Sequence, residues 1–290
     1  MCPLFAFAQQ TNNDKAKDIL QKAINNISIN YDMSDYYANV KCVRVRNCQN
    51  KLESLLSNES IYRIKGRKRK KMKQLAYNQQ TNDLQYKRRA YNSFDYPDIV
   101  KYFSNKQAYK CIDTINYYSI QANEGQYIIT VRQNNPKLHL SKTKVGLPVI
   151  YKYYINTNDL AITKVELSND TVAMSDFKNM LGSNNIKYDS SHYIYTYTKN
   201  GSKYYLTSFY QNNYWTENHT NESGFSKRNR KILTGFNHDN IEVINEEILY
   251  TVENRYKEKP KELLKKKNNI EIKSIEELLQ KTDFNILIGK

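Results

Sequence analysis

Apolar positions along the chain follow two different periods. Over residues 14–29, Ala16, Ile19, Leu20, Ala23, Ile24 and Ile27 recur at spacings of three and four, which places them in one stripe on a helix. Asn12 or Asn13 stands where an N-cap is expected, with Asp14 in the first turn. A helix this short is not stable alone, so its stripe must lie on another layer.

Further along, the period falls to two. Residues 36–46 read as a strand with Tyr37, Val43 and Val45 on one face. Residues 126–132 place Tyr127, Ile129 and Val131 together, and residues 149–155 do the same with Val149, Tyr151, Tyr153 and Ile155. The polar turn Asn156-Thr157-Asn158-Asp159 leads into a return strand over residues 161–167. Residues 193–198 meet residues 203–210 across Asn200-Gly201, a strong short hairpin signal. Hairpins in close succession predict an antiparallel meander rather than parallel βαβ units.

Residues 51–63 show no decisive period, and residues 98–103 and 175–181 read as short helical turns or excursions. Residues 246–256 and 259–267 read as charged helices interrupted at Pro260, and Ser274-Ile275-Glu276-Glu277 forms a capping box for a last short helix. The expected class is therefore α+β: a large curved antiparallel β-sheet, an N-terminal helix packed on it, and a short helical C-terminal tail. The expected organisation is a leader remnant over residues 1–8, one sheet domain over 9–244, and a charged helical tail over 245–290.

Composition adds to this picture. The chain has 290 residues, with 45 Lys+Arg against 29 Asp+Glu for a formal charge of +16. Mean hydropathy is −0.81, a value depressed by the 26 tyrosines, which score as polar yet pack well in sheets. No stretch approaches the roughly 20 apolar residues of a membrane-spanning helix.

The charge is densest over residues 65–73. Lys65, Arg67, Lys68, Arg69, Lys70, Lys71 and Lys73, with Lys87, Arg88 and Arg89 further on, form a candidate basic patch, and the continuation of the run to Arg89 reads as helix or loop. Nearby Tyr62, Tyr77, Tyr86 and Tyr91 suit stacking on single-stranded bases, which makes nucleic-acid binding the alternative reading. A solvated surface or contact with anionic lipid headgroups accounts for the same charges.

Met1 to Gln10 resembles the end of a secretory signal, with Ala6 and Ala8 in a small-x-small pattern. Cleavage there would leave a mature chain from Gln9 with Cys42, Cys48 and Cys111. Cys42 and Cys48 would lie about 20 Å apart in one straight strand and could pair only if the chain turned at Arg46-Asn47. There is no CxxC, and His139, His192, His219 and His238 lack ligand spacing, so no metal site is expected.

Enzyme templates are also missing: GxSxG, HExxH, GxxxxGK[ST] and a strand-following GxGxxG do not occur. Asp159 and Glu166 read as a turn residue and a solvated strand position. His192 adjoins Ser190-Ser191, but neighbours on a strand face opposite ways. Neither a catalytic residue nor a cofactor is expected.

Several of these segments, in order, resemble one family. Residues 16–27, followed by Asn30-Tyr31 and Tyr36-Tyr37, look like the segment after the N-terminal module in carboxypeptidase-like regulatory domain-containing proteins of Gram-negative envelopes. Ile64-Lys65-Gly66-Arg67-Lys68 is similar to that family's basic stretch, and residues 149–155 with 160–166 resemble its hairpin. Two departures stand out: no regulatory β-sandwich precedes the helix, and the turn at residues 156–159 has no glycine.

The resemblance implies a half-barrel like that of outer-membrane lipoprotein carriers, with a helix in its concavity. It implies an exported, non-enzymatic protein of the periplasm or outer-membrane periphery, whose partner is lipid or an envelope protein. If the sheet and helix enclose a cleft, Tyr151, Tyr153, Tyr195 and Tyr197 are the candidate ligand-facing set. Simple sheet packing accounts for the same four tyrosines.

Overall fold

The computed structural model describes residues 3–65, 68–81, 117–132, 149–169, 186–218, 241–267 and 269–270. Helix α1 (Pro3–Asn25) runs into α2 (Ile27–Asn30). Three strands follow: β1 (Tyr36–Cys48), β2 (Lys51–Lys65) and β3 (Lys68–Thr81). The next six are β4 (Tyr117–Asn123), β5 (Gln126–Arg132), β6 (Val149–Asn156), β7 (Ile162–Asn169), β8 (Ile186–Asn200) and β9 (Lys203–Asn218). Strand β10 (Ile241–Tyr256), helix α3 (Lys261–Lys265) and strand β11 (Asn269–Ile270) complete the described elements.

The strands form a single sheet in the order β11-β3-β2-β1-β10-β9-β8-β7-β6-β5-β4. It is two antiparallel meanders, β1–β3 and β4–β9, joined through β10. Among the described strands, only β11 pairs parallel, with β3. The expected large antiparallel sheet is present, and it is open among the described residues.

The tail expectation is corrected at residues 246–256, which belong to β10, in the middle of the sheet, and not to a helix. The boundary expected at 244/245 falls inside this strand. Ile244, Ile248 and Val252 stand four apart, which suits a helix, whereas Ile248, Tyr250 and Val252 alternate as a strand. Two partners settle the choice: β1 and β9 pair with β10 on its two sides. Tertiary pairing of this kind overrides local propensity. Of the charged helix expected over 259–267, α3 keeps five residues.

Residues 51–63 lie within β2, and the hairpin to β1 turns at Gln49 and Asn50, with φ of 49° and 61°. Left-handed conformation at both central positions is the requirement of a type I′ turn, whose twist matches the strands. Cys42 and Cys48 therefore share one strand and are not bridged to each other. Cys111 lies outside the described residues. The β8–β9 hairpin forms where expected, but Asn200 pairs with Lys203 and the two-residue turn is Gly201-Ser202, with Gly201 at φ 62°, one residue beyond the expected Asn200-Gly201.

Helix α1 starts well before residue 14, so Asn13 is interior to it and caps nothing. Instead, Asn13 Oδ1 accepts the backbone N–H of Tyr118 at 2.8 Å, on the sheet's terminal strand β4. A paired edge amide is one less template for unwanted strand addition. Ala16, Ile19, Leu20, Ala23, Ile24 and Ile27 are all buried, so the predicted stripe is the helix's packing face. It packs chiefly on β4, with a smaller contact on β6.

On β1, the face toward this core carries Tyr36, Ala38, Val40 and Cys42. Val43 and Val45, expected to share a face with Tyr37, form a separate small cluster with Leu52 and Leu55. The predicted period holds, and both faces of β1 bear apolar residues: one joins the main core, and the other, with Val45 buried, makes its own small cluster.

Candidate functional site

The four tyrosines singled out in the sequence come together. Register carries one row across the sheet: Ile129, Tyr153, Val165, Tyr195, Phe209, Tyr250 and Cys42 are successive cross-strand partners. Tyr151 and Tyr153 stack with ring centroids 6.0 Å apart, and Tyr195 lies 4.8 Å from Phe209, which stacks on Tyr250 at 5.4 Å. Tyr197 meets Tyr31 edge-on at 5.6 Å. Tyr151, Tyr153, Tyr195 and Tyr197 all lie in the main core cluster with the helix stripe.

Burial, with smaller contributions from Tyr151 and Tyr118, holds the Tyr153 hydroxyl well above its ordinary pKa, so it stays neutral. Burial likewise pushes the Cys42 thiol up to about 12, against the opposing pull of Arg44. An inert thiol, not a nucleophile, is the chemical result.

Aromatic and aliphatic burial is tied at one end by Asp159, which the sequence presented as an ordinary turn residue. Its carboxylate accepts from Lys199 Nζ at 3.0 Å, Tyr204 Oη at 3.0 Å and the Ala161 amide at 3.1 Å, while its carbonyl accepts from Asn30 Nδ2 at 2.8 Å. Burial works to raise this carboxyl, and the hydrogen bonds from Lys199, Ala161 and Tyr204 outweigh it, so it sits below the ordinary value. The next residue, Leu160, takes φ 56° where a glycine would be unstrained; its side chain packs against the core. Hydrogen bonds converging from residues far apart in sequence leave no local signature, which is why Asp159 looked ordinary.

Glu166 is also engaged, by Lys164 at 2.6 Å and Tyr154 Oη at 2.9 Å. Ser191 is buried and His192 half-buried, and their register partners, Asn213 and Asn212, alternate across β9.

The described part of the basic run, Lys65 and residues 68–73, is strand, and so is the continuation as far as Thr81, where helix or loop was expected. Because β3 alternates, Lys70 pairs with Arg63 and Lys71 with Tyr62, on opposite faces, so the run is divided instead of gathered. Lys65 and Lys70 are exposed. Lys71 is half-buried and donates to Gln74 Oε1 at 3.2 Å, and its burial lowers its pKa. Lys73 donates to the carbonyls of Leu264 and Lys266, capping the end of α3. Lys68 and Arg69 pair with Lys65 and Ile64 in register. Arg67, Lys87, Arg88 and Arg89 lie outside the described residues.

Among the described residues, no cluster of His, Cys, Asp and Glu has the makings of a metal site, and no helix is long and apolar enough to cross a membrane. No protein-family model and no curated protein matches the sequence, so the regulatory-domain family has no support from either comparison. Solved structures with a distant likeness exist. One is an outer membrane lipoprotein-sorting protein domain from Vibrio parahaemolyticus, at 7% identity over 86% of this chain and 96% of that one, with a TM-score of 0.32. Another is a LolA superfamily protein from Nitrosomonas europaea, at 11% identity over 87% and 97%, with a TM-score of 0.28. A third is lipovitellin, at 10% identity over 78% of this chain and 25% of that one, with a TM-score of 0.32. At such values the fold description rests on strand order and register alone.

Proposed function

We propose that this protein is a non-catalytic binder of apolar or amphipathic ligands, acyl chains above all, held between α1 and the tyrosine-rich face of the sheet. The observation that carries this reading is the uninterrupted row of aromatic and aliphatic residues from β5 to β10, gathered with α1 into one core. The helix meets that core through a stripe of Ile, Leu and Ala. Such contacts are non-directional, so an acyl chain can replace part of them without stranding a polar group. Each methylene buried adds about 0.8 kcal/mol. Export to the envelope, with lipid or an envelope protein as partner, is part of the same proposal.

Organic extraction of the purified full-length protein, followed by mass spectrometry, and titration with a fluorescent fatty acid test the reading. Tyr153→Ser and Tyr195→Ser are each expected to weaken the probe, whereas Tyr153→Phe keeps it. Variants that lose folding with no change of binding in the residual folded protein would overturn the assignment of these tyrosines. Fractionation with N-terminal sequencing tests export: a mature start at Gln9 in an envelope fraction supports it, and an uncleaved cytoplasmic chain rejects it. Nucleic-acid binding is the weaker reading, because β3 divides its basic residues between two faces and commits Lys73 to α3.

A further inference from the structure

The sheet contains a fork. Strands β9 and β10 are paired from Asn218/Ile241 as far as Ser208/Thr251 and part beyond that point. Past it, β10 continues on β1 alone and β9 on β8 alone. Each diverging pair carries a bulge at the split. On β10 the partner of β1 jumps from Asn254 to Val252, leaving Glu253 over; on β9 the partner of β8 jumps from Ser208 to Leu206, leaving Thr207 over. An extra residue bends its strand and sharpens its twist, and such bulges gather beside functional sites. Two of them here open a cavity of about 590 Å³, lined in part by both bulged residues and by Asp32, Tyr36, Arg255 and Lys257. That volume falls in the range of small-ligand pockets.

Arg255 spans the fork. Its guanidinium lies 4.3 Å from the ring centre of Tyr205 and 5.3 Å from that of Tyr36, and its Nη2 donates to the Leu206 carbonyl of the other branch. Its Nε is buried and makes no hydrogen bond. Of the cavity's acids, Glu253 pairs with Lys41 at 3.4 Å, while Asp32 accepts from the neutral Tyr205 Oη at 3.3 Å, a bond that leaves its negative charge in the cavity. Lys199 is spent on Asp159. The positive charges left are Arg255 and Lys257, neither in an ion pair among the described residues, against the single carboxylate of Asp32. On the inner side, Tyr36 and Val252 join the main core, so the cavity is charged at its rim and apolar at its floor.

We propose that the fork binds the anionic headgroup of an amphipathic ligand, a phosphate or carboxylate on Arg255 and Lys257, with its tail toward Tyr36 and Val252. The fixed, ring-sandwiched guanidinium suits planar recognition of such an anion. This rests on the apolar-ligand reading for the tail and adds the class of headgroup.

The test is calorimetric titration of the full chain with a lysophosphatidate, with a monoacylglycerol of equal chain length, and with inorganic phosphate. The lysophosphatidate is expected to bind tightest. Arg255→Gln is expected to weaken it about tenfold without weakening the monoacylglycerol. Because Arg255 also ties the two branches, Lys257→Gln, at an exposed position, is the second variant; a few-fold loss and a shallower salt dependence are expected. Equal binding of charged and neutral lipid, unchanged in both variants, would overturn the headgroup site and leave the apolar-ligand reading standing. Arg255-dependent binding of inorganic phosphate with no gain from an acyl chain would support the anion site, assign it to free phosphate, and reject the lipid. No binding of any of the three would overturn both.

Discussion

The face of the sheet that meets α1 changes character from one half to the other, although the same alternation runs through both. Across β5–β9 it presents Ile129, Tyr153, Val165, Tyr195 and Phe209, closed over by an aliphatic helix stripe. In the β1–β2 hairpin, residues in register on that same face are Asn58, Ser60, Ser54 and Arg46, and Arg44 lies 3.9 Å from Glu246 with both side chains mostly buried. Asn58, Ser60 and Ser54 are buried nearly as deeply as the tyrosines. The first stretch is held by area removed from water alone; the hairpin shares that core through Tyr36, Ala38, Val40, Cys42, Tyr62 and Ile64 but sets buried polar groups among them, with Ser60 Oγ donating to Asn58 Oδ1 at 2.9 Å. Burial alone therefore does not tell what a residue contributes, and the two halves should answer differently to truncation.

The strongest way to break the comparison is Leu20→Ala. A buried leucine in the apolar half loses both transfer energy and packing, and destabilisation of about 3 kcal/mol is expected in chemical denaturation. Binding of a fluorescent fatty acid by the remaining folded protein should change in parallel.

Asp159→Asn probes the directional tie at the edge of the apolar half, with an expected loss of about 1–2 kcal/mol near neutral pH. The sign of its pH dependence follows from the lowered folded-state pKa. Its contribution is present above the ordinary carboxylate range and disappears as pH falls through the folded value. Wild-type protein should lose stability on acidification more steeply than the variant, measured as melting temperature between pH 6 and pH 3.

In the polar half, Ser54→Ala should behave in the opposite sense to Leu20→Ala. The Ser54 hydroxyl is buried without a hydrogen-bond partner, so removing it should raise stability by about 1 kcal/mol. A loss of comparable size would show that the hydroxyl is satisfied and would restore symmetry between the halves.

The smallest effect is expected at the hairpin tip. Gln49 sits at φ 49°, and Gln49→Gly should gain about 0.5–1 kcal/mol by relieving that conformation, read as a shift of the denaturation midpoint.

Much of this was legible from pattern alone. The six-residue helix stripe, the bounds of β5, and the hairpins at residues 156–161 and 200–203 all follow from period and turn chemistry, which are properties of neighbouring residues. The candidate tyrosines could be placed on regular alternating faces for the same reason. What could not be read was anything decided by residues distant in sequence. Residues 246–256 carry both helical and strand spacing, and only the waiting edges of β1 and β9 make them β10.

The basic run was visible as charge but not as geometry, since pairing with β2 divides it between two faces. Asp159 becomes a hub only when Asn30, Lys199 and Tyr204 converge on it, and the fork exists only where two bulges coincide in adjacent strand pairs. Local sequence determined the periods and turns of this protein, because backbone sterics and side-chain alternation act over a few residues. Tertiary structure decided which face joins the main core, which charges are spent and where the sheet opens, because those depend on partners that only folding brings together.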